Sequence, residues 1–503
     1  MAQTCSAFTH GVGRLADRRW AGALSVAVLA AALAWTPLPT LALALAAAAL
    51  LAAVRFPALA LAAAAALVPF GARVAPEVGG AHLTPPSPLI ALAVFGVALG
   101  HLLARRRPAI PPGAAAILGA CALWLCTLLL GTMAAPSVRT GLLEVVRWGV
   151  FAAAVAAAGT LSGAKGRRWG IVIIAVILAS GAAEAVYGGR LALAGIGPKS
   201  FTLANGHTRA FGDFGQPNPF GGYMNLVWPL GVALAAEWAW PRRAVHGGRW
   251  RIAAAHRLLA ALGVVVAAAC IGGLGLSWSR GAWLAAAAAA GTMGALRCAA
   301  GLRRPADPLA IVLPYLALTA ALAALAFGAA PSVPAVVAAR VATITGAAGA
   351  GAAQRDLAHA DVTGASFSTV ERLAHWDAAL RMWADRPWLG QGPGHYALRY
   401  PAYRLPRWPY DLGHAHNGYL NALAETGLLG LMTLAALLAA AAAVAVRSAI
   451  APRASLEAAL GLALAGSLAA VATHSLVDVL WVHDMTVLLA LLIGLTLAAR
   501  SWP

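Results

Sequence analysis

Apolar residues run in long unbroken stretches from one end of the chain to the other, and polar residues gather in the gaps between them. The stretches are rich in Ala and Leu, and they approach the ~20 residues that a helix needs to cross ~30 Å of hydrocarbon. None shows the strict alternation or evenly spaced turns of a membrane barrel. The pattern predicts helical spans at 21–36, 38–54, 56–70, 88–104, 113–133, 141–162, 169–187, 219–240, 257–276, 279–299, 308–329, 417–446, 455–474 and 484–499. The expected class is an all-α polytopic membrane protein with about twelve to fourteen spans. One long segment, 330–416, escapes the pattern and predicts a large outer loop. Within it Val370, Leu373, Trp376, Leu380 and Trp383 recur at helical spacing after Ser-Thr-Val-Glu (368–371), an amphipathic helix with a capping-box start. The chain thus divides into an N-terminal scaffold (1–187), a core with arginine-bearing outer loops (188–330), the large loop (331–416) and C-terminal spans (417–503).

Composition fits this division, with 61% hydrophobic and 11% charged residues. The net charge of +19 raises the question of nucleic acid, and its distribution answers it. Basic clusters at 14–19, 105–107, 165–168, 242–257, 297–304 and 447–453 each precede the first span or follow an even-numbered one. Positive residues in short loops mark the cytoplasmic side, so the charge reports topology and no nucleic-acid partner is expected. Both ends are expected inside. Arg14, Arg18 and Arg19 precede the first span without a small-residue cleavage site, as in an uncleaved anchor. The outer loops are then 71–87, 134–140, 188–218, the turn at 277–280, 330–416 and 475–483. Cys121, Cys126 and Cys270 fall within spans and Cys5 and Cys298 on the inner side, so no outer disulfide framework is available. No zinc or phosphate-loop pattern appears, and no cofactor is implied.

The unusual polar residues fall in those outer loops. Glu144 and Arg147, three apart, can pair on one helix face. Arg209 precedes Gln-Pro-Asn-Pro (216–219) and the start of a span, a corner where free N–H groups and a dipole end favour an anion. There Asn218 can cap the helix or contact a ligand. Arg280, in Ser-Trp-Ser-Arg-Gly (277–281), has no carboxylate near it in sequence and calls for a distant carboxylate, a lipid phosphate or an anionic substrate. Arg372 lies on the amphipathic helix. Arg399, Arg404 and Arg407 alternate with Tyr400, Tyr403 and Tyr410, a composition suited to sugars and phosphates. His414 and His416 then bring the loop back to the membrane, with Asn417 at the start of the next span. His474, Asp478, His483 and Asp484 cluster near the last outer loop, either as interfacial polar residues or as metal ligands without a known spacing.

No nucleophilic serine or cysteine stands beside a base. A single histidine with several arginines suits attack of a neutral hydroxyl on a substrate whose leaving group is a diphosphate. An anion transporter and a purely structural assembly protein are the other classes open to such a chain. His416-Asn417, nine residues, Gly427, two residues and Gly430 resembles the H-[NSQ]-x9-G-x-x-G pattern of the O-antigen ligase and polymerase superfamily. Pro217-Asn218, Ser279-Arg280-Gly281, the R-x-x-x-W of Arg372 to Trp376 and the run 389–394 are similar to other signatures of that family, in the same order. The resemblance implies a GT-C-like, metal-independent glycosyltransferase of the bacterial inner membrane, working at its periplasmic face. It implies a glycan donor on undecaprenyl diphosphate and an acceptor that is lipid A-core for a ligase or a growing glycan for a polymerase. His416 would be the base, and Arg209 and Arg280 would bind the diphosphate. Asn218, Arg372, Asn417, His414 and Arg399 are the further substrate-binding candidates, with His414 lying outside the motif.

Overall fold

The computed structural model describes residues 54–71, 84–103, 113–203, 206–239, 250–301, 367–451 and 455–502, with a few short pieces between 47 and 111. Its helices are α1 (Pro57–Leu67), α2 (Pro86–Leu103), α3 (Ala114–Met133), α4 (Val138–Gly159), α5 (Gly163–Leu193), α6 (Pro217–Ala239) and α7 (Trp250–Leu276). They continue as α8 (Arg280–Gly301), α9 (Phe367–Asp385), α10 (Tyr396–Tyr403), α11 (Gly418–Ala449), α12 (Leu456–His474) and α13 (Met485–Ala499). The sole sheet among the described residues is a ladder of Glu77–Val78 with Ala81–His82. Among the described residues seven helices are long and apolar enough to cross a membrane, and three shorter apolar ones accompany them. The chain is an all-α integral membrane protein. The predicted spans at 21–36 and 308–329, and most of 38–54, lie outside the described residues.

Among the described residues one large apolar core draws on helices from both ends of the chain. Helix α12 lies in its interior: its spanning window is 78% buried against 22% for α2, so α12 is enclosed by protein where α2 is largely exposed. It packs against α6, α8 and α11. Small residues set the closest approach. Between α6 and α7, a Cβ added to Gly231 would lie 2.6 Å from the Gly263 carbonyl oxygen, and one on Gly263 would lie 2.7 Å from that of Gly231. The two backbones touch, as small-residue contacts between membrane helices permit. Arg297, read from the sequence as part of an inner-loop basic cluster, turns inward instead. It is buried and paired with Glu237, tying α8 to α6. Glu144 and Arg147 do pair, at 3.0 Å, and Arg147 also donates to the Trp481 carbonyl at 3.3 Å.

The amphipathic helix of the outer loop is present as α9, and it packs against α11. The predicted span 417–446 differs in one respect. Helix α11 is interrupted at Gly427, whose φ of 64° and ψ of −165° are non-helical. The freed backbone groups are taken up by the outer loop. Leu428 and Leu429 N–H donate to the carbonyls of Pro387 (2.8 Å) and Trp388 (3.2 Å), while Gln391 and Gly392 N–H donate to those of Ala424 and Glu425 (both 2.9 Å). Segment 387–392 therefore replaces the helix's own bonds at the kink, which satisfies backbone that lipid would leave unpaired.

Candidate functional site

The kink fixes the short first segment of α11, and His416 stands just before it. Asn417 caps this helix, its side chain accepting from the N–H of Tyr419 and Leu420 at 3.0 Å each. Its amide donates to the Leu476 carbonyl at 2.9 Å, and Gly418 N–H donates to Ser475 O at 2.7 Å. Both bonds lock the helix start to the loop after α12. Asn417 is thus a structural cap, and its amide is engaged within the protein. His416 itself has a φ of 50°. A left-handed backbone costs a residue with a Cβ about 1–3 kcal/mol, and such strain gathers where the surroundings enforce it. Here its N–H donates to His414 Nδ1 (3.1 Å) and its carbonyl accepts from Trp376 Nε1 (3.4 Å).

Asp478 joins the separate parts of the chain. One carboxylate oxygen lies 3.4 Å from His416 Nδ1 and 3.9 Å from His414 Nε2. The other accepts from Asn218 Nδ2 at 2.6 Å. Asn218 Oδ1 in turn accepts from Arg209 at 3.1 Å, and Arg209 Nε donates to the Ser277 carbonyl at 2.9 Å. Asn218 lies inside α6, which starts at Pro217, so its side chain serves this bridge and does not cap the helix. Arg209, Asn218, Arg280, Arg372, Trp278 and Trp376 line a cavity of about 230 Å³, with His474 in its wall. His416 does not line that cavity. It sits beside it, its carbonyl bonded to Trp376 and its Nδ1 3.4 Å from Asp478, with 19% of its side chain exposed. Trp278 is also strained, with a φ of 51°, and stacks on His207 at 6.1 Å.

Burial would raise the Asp478 carboxyl, but the His416 contact and the nearby imidazoles outweigh it and hold the group well below the usual carboxylate range. Burial pushes His414 down to about 4 against the pull of Asp478. It does the same to His375, which stacks on Tyr400 at 4.6 Å and meets the edge of the His416 ring at 5.8 Å. His414, His416 and Asp478 place donor atoms within 4.8 Å of one another, as metal ligands do. The tautomer argues against that use. His414 Nδ1 accepts a backbone N–H, so its proton sits on Nε2, the nitrogen that faces Asp478. That nitrogen has no lone pair to offer a metal.

Of the residues read from the sequence, Arg209, Arg280, Asn218 and Arg372 meet at the cavity, and His414 and His416 meet beside it. Arg399 stands apart: its Nε donates to Gln391 at 3.1 Å and its guanidinium lies 5.8 Å from the Tyr403 ring. The basic aromatic passage folds on itself, with Tyr400 buried and Tyr403 donating to Asp385 at 2.7 Å. The cluster at 474–484 separates into two. His474 and Asp478 serve the site, whereas His483 packs on Phe214 and Asp484 accepts from Thr84 at 2.8 Å. Asp478 is the residue that sequence reasoning undervalued. Its signal was being the lone carboxylate of loop 475–483.

An all-helical membrane protein with a histidine–carboxylate pair and clustered arginines at one end is the class these observations define. Residues 264–435 match the family model for O-antigen ligase. Over this stretch, about a third of the chain, the protein is similar to the O-antigen ligase family. No curated protein matches the chain. The matched stretch holds Arg280, Arg372 and His416, while Arg209, Asn218 and Asp478 lie outside it and arrive through the fold.

Proposed function

We propose that the protein transfers a glycan from undecaprenyl diphosphate to a sugar hydroxyl at the periplasmic face of the bacterial inner membrane, as an O-antigen ligase does. The observation that carries this reading is the connected set Arg209–Asn218–Asp478–His416, which couples an arginine-lined cavity to a base. With Nδ1 directed at Asp478, His416 has Nε2 free to take the proton of the acceptor hydroxyl. The hydroxyl oxygen bonds to the anomeric carbon as the bond from that carbon to the diphosphate breaks. Asp478 stabilises the imidazolium, the role that a carboxylate plays behind a catalytic histidine. A contact of 3.4 Å is long for this, as such bonds often are before substrate arrives. Arg209, Arg280 and Arg372 receive the charge of the departing diphosphate. Arg372 suits this, since its Nε is buried without a hydrogen-bond partner among the described residues.

Lipid-linked donor and acceptor are the partners, and the surrounding lipids present both. Purified protein, lipid-linked glycan and lipid A-core test the reaction directly. His416→Ala should lose transfer by about 10²–10⁴-fold at unchanged protein level; full activity of that variant removes the mechanism. Lipopolysaccharide profiles of a deletion strain separate the two reactions of the superfamily. Loss of all capped species indicates a ligase, and a single repeat unit left on the core indicates a polymerase.

A further inference from the structure

The catalytic reading leaves one side chain of the site without a task. Trp376 is on α9, in the outer loop, and its indole does two things at once. It forms part of the cavity wall beside Arg209, Arg280 and Arg372. Its Nε1–H also donates to the carbonyl of His416 at 3.4 Å. That carbonyl belongs to a residue in the left-handed region, with a φ of 50°. A residue with a Cβ stays there only when its neighbours hold it. The cap of the following helix belongs to Asn417 and fixes the chain after His416, and the His414 ring receives the His416 N–H before it. The carbonyl is the remaining handle, and Trp376 has it.

We propose that Trp376 is a positioning residue: its indole N–H holds the His416 peptide in the left-handed conformation that turns Nδ1 toward Asp478, and so links the cavity that receives the donor to the base that serves the acceptor. The inference rests on His416 being the base. Its neighbour His375 also meets His416. That ring is buried, with Nδ1 2.9 Å from the Tyr396 hydroxyl, and meets His416 edge-on. Since the Tyr396 hydroxyl donates to the His375 carbonyl at 3.1 Å, His375 Nδ1 is the donor in their contact. The wall against the His416 ring is therefore fixed in tautomer as well as in place.

The arrangement separates two kinetic effects. A residue that only lines the cavity changes donor KM, whereas one that aims the base changes kcat. Trp376→Phe keeps an aromatic wall and deletes the N–H. The same deletion without loss of shape comes from 3-benzothienylalanine introduced at position 376, where sulfur replaces the N–H. In the transfer assay both variants should lower kcat about tenfold and leave donor KM within about twofold. An independent readout does not need transfer at all: the rate at which diethyl pyrocarbonate modifies His416, followed by mass spectrometry of the full-length protein in detergent. Release of the peptide should raise that rate about threefold or more, with Leu380→Ala on the same helix leaving it unchanged. An unchanged His416 rate in the benzothienyl protein overturns the proposal, whatever the activity. A raised rate with kcat intact upholds the positioning contact and removes His416 from the role of base.

Discussion

An imidazole has two nitrogens, and which one carries the proton decides what the ring can do. At His416 that choice is made from outside, by a carboxylate some sixty positions further along, near Nδ1. Asp478 is itself kept ionised by the imidazoles around it and anchored by Asn218. Asp478→Asn keeps the size and the bond to Asn218 but removes the charge that selects the tautomer and stabilises the imidazolium. Transfer should fall by up to about 10⁴-fold, as for the carboxylate behind a catalytic histidine. Donor affinity, which the proposed mechanism assigns to the arginines, should change little. A variant that loses donor binding but keeps turnover would show that Asp478 serves Asn218 and Arg209 instead. His414 is a different case. Driven down to about 4 by burial, it is neutral at pH 7, and its Nδ1 is occupied by a backbone N–H, so it supports the turn and does not compete as a base.

At the scale of elements, the motif of histidine, asparagine and two glycines is a mechanical unit. His416 supplies the ring, Asn417 the cap, and Gly427 the break that lets the outer loop bond to the helix. A Cβ on Gly427 would collide with the Trp388 carbonyl carbon and oxygen, and the φ of 64° is in any case one that only glycine adopts freely. Gly427→Ala should therefore destabilise the protein by about 1–3 kcal/mol. It should also loosen segment 387–392, which limited proteolysis in detergent would show as new cleavage there. An unaltered digest would mean that the loop is held by other contacts, such as the Arg386 bond to the Ala134 carbonyl at 2.9 Å. The spans were legible in the sequence because lipid demands long apolar runs, and α9 because its apolar residues recur at helical spacing. The kink was not, since hydropathy carries no record of a backbone bond given to another segment. The same limit concealed the inward turn of Arg297, whose partner Glu237 lies on another helix.

Across the whole molecule, the site is a meeting of four distant stretches: the corner before α6, the turn before α8, the outer loop with the start of α11, and the loop after α12. Sequence supplied the arginines and His416, because charges at a membrane surface stand out. It could not supply Asp478 as their junction, because pairing across such distances is decided by which helices pack around α12. That convergence buries histidines, and burial sets how the fold responds to acid. His375 and His414 are both lowered from 6.5 to about 4. Between those values the unfolded chain takes up protons that the folded chain refuses. The unfolded state then binds more protons, so stability falls as the pH falls through this window. Asp478, held below its usual 3.8, continues the trend in stronger acid, where it keeps its charge while the unfolded carboxylate takes a proton. The melting temperature of the protein in detergent should accordingly drop from pH 6.5 to pH 4. His375→Phe removes one contributor and keeps the ring against Tyr400, so its melting temperature should drop less over the same interval. A His375→Phe profile that drops as far as the wild type's would mean that His375 is not buried as described, and the wall that steadies His416 would go with it.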